Sequence, residues 1–322
     1  MREAWRRREA LAAVGALACA GRAWAQGPSP IAPASDPLAT TSLAQPSLDD
    51  LITLDLGEDD GRRLRVPARV DGRGPFPFLI DTGADHSVLS AELAHALALA
   101  PGGAITVAGI AGSRLSGSAA VQRLEVGDRK LENAQLALLA RAHLGALGLV
   151  GLDLLKRERV VIDVAARRMR VTHSRGMEDG PGVVVVRGRS RFGQLILVDS
   201  SVRGRKVFVV LDSGAECTMG NPALRALLYR ERIAKGRPDG RQLIDLLSVT
   251  GQTVKGESDH MPELTLGGLQ LFDLPVVYAD LDTFRRFGLV DQPALLLGMD
   301  VLRTFSEVAI DFGRREVGFT LA

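Results

Sequence analysis

A chain of 322 residues with 46% hydrophobic and 24% charged side chains can close a sizeable core, which excludes the disordered and fibrous classes. Its formal charge is +2, but residues 1–25 carry five Arg and two Glu, so the remainder carries −1. No excess basicity is left to argue for a nucleic-acid partner.

The N-terminus reads as an export signal. Arg6-Arg7-Arg8 precede an apolar stretch from Ala10 to Gly21, and Ala23-Trp24-Ala25 supplies a small-x-small cleavage site before Gln26. The arginine cluster resembles a twin-arginine signal, so the protein is expected to be exported, periplasmic or secreted. Residues 26–47, rich in Pro, Ser, Ala and Thr, read as a flexible linker. No later apolar run reaches spanning length, so no membrane span is expected in the mature chain. Of the two cysteines, Cys19 lies in the signal and Cys217 beyond it, so a chain cut after residue 25 has a lone packing thiol.

From residue 48 the chain repeats itself. Leu64–Val70 is an extended, apolar opening, followed by the turn Val70-Asp71-Gly72-Arg73 and a strand ending in Phe78-Leu79-Ile80-Asp81-Thr82-Gly83-Ala84-Asp85. Ser90 opens a helix over Ala91–Leu99. A Gly-punctuated hairpin follows around Val107–Gly112, then Leu124-Glu125-Val126-Gly127, then Leu147–Asp153. Val161-Ile162-Asp163 and Met169-Arg170-Val171 close this half as strand, turn and strand. Residues 175–190 read as the joint.

The second half runs through the same order. Gln194–Val198 opens it, and Val202-Arg203-Gly204-Arg205 turns into Val209-Val210-Leu211-Asp212-Ser213-Gly214-Ala215-Glu216. Asn221 caps a helix starting at Pro222, and Tyr229–Asp245 reads as a charged, loop-like insertion. Leu247–Gly251, Leu264–Gly267, Leu295–Asp300, Ala309–Asp311 and Val317–Phe319 complete the series. Equivalent points are offset by 131, then 139, 140 and 147 residues, a single register with insertions in the second half. The expected organisation is a signal peptide over 1–25, a linker over 26–47, and two mostly β lobes over 48–180 and 181–322.

A strand that delivers a carboxylate into a tight Gly turn, made twice, has a chemical meaning. Two carboxyls in contact cannot both ionise easily, so one stays protonated as an acid while its partner draws a proton from water as a base. That is enough to hydrolyse a peptide bond with neither metal nor covalent intermediate. Asp81 and Asp212 are the candidate catalytic pair. Thr82 and Ser213 offer hydroxyls to brace the turns, and Gly83 and Gly214 allow close backbone approach.

These turns, the Gly-containing hairpins and the apolar-apolar-Gly-x-Asp elements resemble the retropepsin-like aspartic proteases, over roughly residues 50–172 and again 190–322. The resemblance implies an all-β fold with short helices, in which two pseudo-two-fold-related β-barrel lobes form a single-chain pseudo-dimer close in plan to pepsin. It implies one catalytic Asp per lobe, bracing by Thr82 and Ser213, and substrate contact by Asp85 and Glu216. Gly109, Ile110, Val249 and Thr250 fall at the tips of hairpins that would act as flaps over the substrate. The second turn departs from the family pattern in having Ser for Thr, which keeps the hydroxyl.

Other signals are weak. The five histidines fall at no metal-ligand spacing, and Gly-x-Ser-x-Gly is absent, so neither cofactor nor metal is expected. Asp153, Asp300, Asp163 and Asp311 read as turn or cap acids without a catalytic role. The reading is an aspartic endopeptidase acting on peptide or protein substrates as a monomer. The alternative is a catalytically inactive protein that binds peptides or envelope components in the same cleft.

Overall fold

The computed structural model describes residues 63–321 except 167, 178, 179, 181, 192, 193, 198 and 235–241, together with the strands Leu11–Ala13, Leu17–Ala20, Ile52–Asp55 and Gly57–Glu58. The expected cleavage site at residues 23–25 and the linker 26–47 lie outside the described residues.

Alternation builds the first lobe. In the strand Leu64–Val70 the side chains of Leu64, Val66, Ala68 and Val70 are buried, while Pro67 and Arg69 face outward. Asp71 and Gly72 both take positive φ, 49° and 74°, the hairpin turn whose twist matches its flanking strands. Arg203 and Gly204 repeat it at 49° and 73°. The strand Arg73–Ile80 then runs inward to the fully buried Phe78, Leu79 and Ile80.

Leu79 and Ile80 pair in parallel with Leu149 and Val150 of the strand Gly148–Val150, which is antiparallel to Val88–Ser90. Val88–Ser90 is in turn parallel to Arg129–Leu139. The strand Ser118–Val126 pairs with Arg129–Leu139 and returns to Leu64–Val70 through Leu124 and Val70, closing six strands into a barrel. The second half has the same pairing. Phe208–Leu211 is parallel to Ala294–Leu297, which is antiparallel to Met219–Gly220, itself parallel to Leu269–Tyr278. Val210 lies opposite Leu296 and Leu211 opposite Leu297, the offsets read from the sequence.

The closing hairpins of both halves meet in one antiparallel sheet, ordered Val183–Arg191, Glu316–Thr320, Glu307–Asp311, Glu158–Asp163, Arg168–His173 and Ile52–Asp55. Val161 of the first half pairs with Ala309 of the second. The expected joint over 175–190 is thus shorter than the composition suggests, because Val183–Arg191 is a strand of this sheet. The buried Asp311 ties the joint down, accepting from Ser174 Oγ at 2.5 Å, Gly176 N at 3.0 Å and Arg175 N at 3.1 Å.

Both predicted helix starts are found. Ser90 Oγ accepts from Leu93 N at 3.0 Å and opens Ala91–Ala96, shorter than the expected Ala91–Leu99. Asn221 Oδ1 accepts from Leu224 N at 2.8 Å at the start of Pro222–Ala234. The helix and the strand Gln242–Ser248 occupy both ends of the expected loop over Tyr229–Asp245, a correction that arises because neither its Leu pattern nor its alternation was strong enough to outweigh its charges.

Asn221 does more than cap. Its Nδ2 donates to Leu289 O and Gln292 O, each at 2.7 Å, and its Oδ1 also accepts from Ala294 N at 3.1 Å. Ser90→Ala should therefore cost about 1 kcal/mol, and Asn221→Ala about 3 kcal/mol, because it strands several buried backbone groups. Urea unfolding of both variants tests this; equal losses would show that Asn221 is a cap alone.

Candidate active site

Both acidic turns begin where the parallel strands end. Asp81 N donates to Val150 O and Asp212 N to Leu297 O, each at 3.0 Å, so each Asp is the first residue beyond its strand. Its carboxylate is then held by the turn. Asp81 Oδ1 accepts from Gly83 N at 2.7 Å, and Asp212 Oδ1 from Gly214 N at 3.0 Å and Ala215 N at 3.2 Å.

The two turns are sewn together by their hydroxyl residues. Thr82 N donates to Ser213 Oγ at 3.1 Å, and Ser213 N donates to Thr82 Oγ1 at 3.0 Å. Each hydroxyl passes on to the opposite strand, Thr82 Oγ1 to Leu211 O at 3.3 Å and Ser213 Oγ to Ile80 O at 3.2 Å. This reciprocal brace draws the turns so close that a Cβ on Gly83 would overlap the Asp212 carboxyl, and one on Gly214 the Asp81 carboxyl. A larger residue at either place would push the opposite carboxyl out of position. Gln194, buried in the second half, also donates through Nε2 to Gly83 O.

Asp81 and Asp212 consequently lie in hydrogen-bonding contact, both almost wholly buried. Burial, then the Asp81 charge and the hydrogen bond with Asp81, pushes the Asp212 carboxyl well above the carboxylate range, against the pull of the Gly214 and Ala215 amides. A pair so placed holds one proton between two carboxyls at a pH where isolated ones would have lost both.

Asp85 and Glu216, four residues beyond the pair, each meet an arginine of the other half. Arg286 donates to Asp85 Oδ2 at 2.6 Å, and Arg63 Nε lies 3.4 Å from Glu216 Oε1. Burial raises the Asp85 pKa, with Arg286 opposing. Sequence reasoning missed Arg63, Arg286 and Gln194. Arg63 and Gln194 had one visible signal, a polar residue heading an apolar strand at Arg63-Leu64 and Gln194-Leu195, and Arg286 had none.

The hairpin tips cross over. The first, between Ile105–Gly109 and Gly112–Ser116, buries Ile110 among Met219, Leu281, Phe284 and Phe287 of the second half, and Ile110 O accepts from Asp282 N at 2.8 Å. The second, between Gln242–Ser248 and Thr253–Leu266, buries Val249 among Leu79, Val107, Leu139 and Leu144 of the first. Thr250 Oγ1 sits between Ser248 Oγ at 2.9 Å and Gln252 Oε1 at 3.1 Å, and Thr250 O accepts from Arg114 at 3.1 Å. Gly109 packs directly beneath Ser248 Oγ, where a Cβ would collide. Cys217 is disulfide-bonded in this structure, so the expectation of a lone thiol applies only to a chain cut after residue 25.

Two outcomes follow from this geometry. Ser213→Ala removes an acceptor and a donor from the brace and should destabilise the protein by about 3 kcal/mol, since Thr82 N and Ile80 O are left buried without it; a loss below about 0.5 kcal/mol in urea unfolding would contradict the brace. Asp300 is the second case, its pKa raised by burial to about 6. A carboxyl whose folded pKa lies above its unfolded value of 3.8 stabilises the fold fully below that value and loses the contribution as pH rises through about 6. The loss is on the order of 3 kcal/mol. Unfolding free energies at about pH 4 and about pH 7 should therefore differ more in the parent than in Asp300→Asn, and equal differences would refute the shift.

Among known proteins, residues 66–157 match the family described as gag-polyprotein putative aspartyl protease. No curated protein matches the chain. The matched stretch begins in the first barrel strand, contains Asp81-Thr82-Gly83 and ends just beyond Gly151-Leu152-Asp153. The all-β fold and this match together show a retropepsin-like aspartyl protease likeness, carried by residues 66–157.

Proposed function

We propose that the protein is an aspartic endopeptidase whose water is activated between Asp81 and Asp212. The observation that carries this reading is the contact of two buried carboxyls from separate turns. The ionised partner takes a proton from water as the oxygen attacks the scissile carbonyl, while the protonated partner gives its proton to the carbonyl oxygen. Collapse of the tetrahedral intermediate returns a proton to the leaving amine and restores the shared one. Thr82, Ser213, Gly83 and Gly214 keep the carboxyls aligned while charge moves between them.

An extended peptide fits under the hairpins as an added strand. The chain's own N-terminal segment supports this mode. Leu11–Ala13 pairs in parallel with Ile105–Gly109 of the first hairpin, and Leu17–Ala20 pairs antiparallel with Gln242–Ser248 of the second. After export and removal of residues 1–25, those edges are open to substrate. Among the described residues Asp85 Oδ1 has no hydrogen-bond partner and is an acceptor for a substrate backbone amide, while Oδ2 stays with Arg286. Gly109, Ile110, Val249, Thr250 and Glu216 complete the frame around that strand.

The test is cleavage of a diverse peptide pool by the protein lacking residues 1–25, from acidic to neutral pH. The parent should cut, and Asp81→Asn and Asp212→Asn should each lose at least about a thousandfold in kcat while unfolding cooperatively. Peptide binding with no cleavage at any pH would instead identify a non-enzymatic binder.

A further inference from the structure

The same box of hydrogen bonds is built behind both catalytic turns, around two acids to which the proposed chemistry gives no part. In the first half, Asp153 Oδ2 accepts from Ser87 N at 2.8 Å and Oδ1 from Ser87 Oγ at 2.7 Å, and Ser87 Oγ accepts from Gly151 N at 3.1 Å. In the second, Asp300 Oδ2 accepts from Thr218 N at 2.9 Å and Oδ1 from Thr218 Oγ1 at 2.7 Å, and Thr218 Oγ1 accepts from Gly298 N at 3.1 Å. Two backbone bonds complete each box. Leu152 N donates to Ala84 O at 2.8 Å and Asp153 N to Asp85 O at 3.1 Å; Met299 N donates to Ala215 O at 2.8 Å and Asp300 N to Glu216 O at 3.2 Å.

We infer that Asp153 and Asp300 are positioning residues for the two catalytic carboxyls, acting through Ser87 and Thr218. The inference rests on the peptidase reading for its kinetic part. Ser87 and Thr218 each stand six residues beyond their catalytic Asp, where the turn leaves the site and enters the next strand. Asp81 and Asp212 themselves are fixed at the turn entrance, by Val150 O and Leu297 O. Those carbonyls end the strands that lead directly into Gly151 and Gly298, so one element grips both ends of each turn. With both ends held, Gly83, Gly214 and Ala215 keep their amides on the carboxylates.

A carboxylate suits this task where an amide would not. Once ionised it is all acceptor, and each of the partners of its oxygens in the box is a donor. An Asn here must turn an NH2 toward a donor, leaving one bond unmade. The cost of burying that carboxylate is tolerated in the second half although it raises the pKa of Asp300.

The experiment compares Asp300→Asn, Thr218→Val and their double variant with the parent, alongside Asp153→Asn and Ser87→Ala. On a cleaved peptide, each single variant should lose about tenfold in kcat with KM within about twofold, and the double variant should be no worse than either single one. Amide hydrogen exchange on the same proteins provides a readout independent of activity. Gly214 and Ala215 should exchange at least about tenfold faster in Asp300→Asn and Thr218→Val, while Val161 and Ile310 in the shared sheet keep the parent rate. Unchanged kcat, or unchanged exchange at Gly214 and Ala215, would overturn the assignment even if the melting temperature falls. If the parent cuts no peptide, the peptidase reading fails and the exchange rates alone decide this one.

Discussion

Two carboxyls forced together away from water resist each other, and the structure is arranged around holding them there. Desolvation and mutual repulsion both oppose a second negative charge, so the pair keeps one proton where separate aspartates would keep none. Left to itself a pair of turns would relieve that repulsion by moving apart. Three restraints oppose the movement at different distances. The Thr82 and Ser213 brace acts at the carboxyls, the arginine pairs at Asp85 and Glu216 act a few residues away, and the six-stranded sheet joins the halves at their base.

The restraints are reciprocal without being identical. Asp85 is met by Arg286 on the short helix Asp282–Arg286, whereas Glu216 is met by Arg63 at the head of the first barrel strand. The Asp282–Arg286 helix also receives the first hairpin tip, through Ile110 O and the side chains of Phe284 and Phe287. One short element therefore contacts both a turn acid and a hairpin tip from the opposite half. Its counterpart Arg141–Leu144 receives the second tip through Leu144 alone of its apolar residues, so the two hairpin tips are seated differently.

Much of this was legible because it rests on short local patterns. The alternation in Leu64–Val70, the turns at Asp71-Gly72 and Arg203-Gly204, and the caps at Ser90 and Asn221 depend on neighbours within a few residues. Each turn follows a strand paired in parallel with a later one, Leu79 and Ile80 with Leu149 and Val150, and Val210 and Leu211 with Leu296 and Leu297. The contacts that cross between halves were not legible. Arg63 and Gln194 occupy equivalent places but differ in chemistry, so the repeat itself hid them. Asp153 and Asp300 looked like turn acids because their partners, Ser87 and Thr218, lie 66 and 82 residues away.

The most direct test of the shared proton is carboxyl titration by carbon-labelled aspartate NMR in the protein lacking residues 1–25. One carboxyl of the Asp81 and Asp212 pair should titrate far above 3.8, and Asp81→Asn should bring the Asp212 value down by removing the opposing charge. Two independent titrations near 3.8, unmoved by that substitution, would contradict the account.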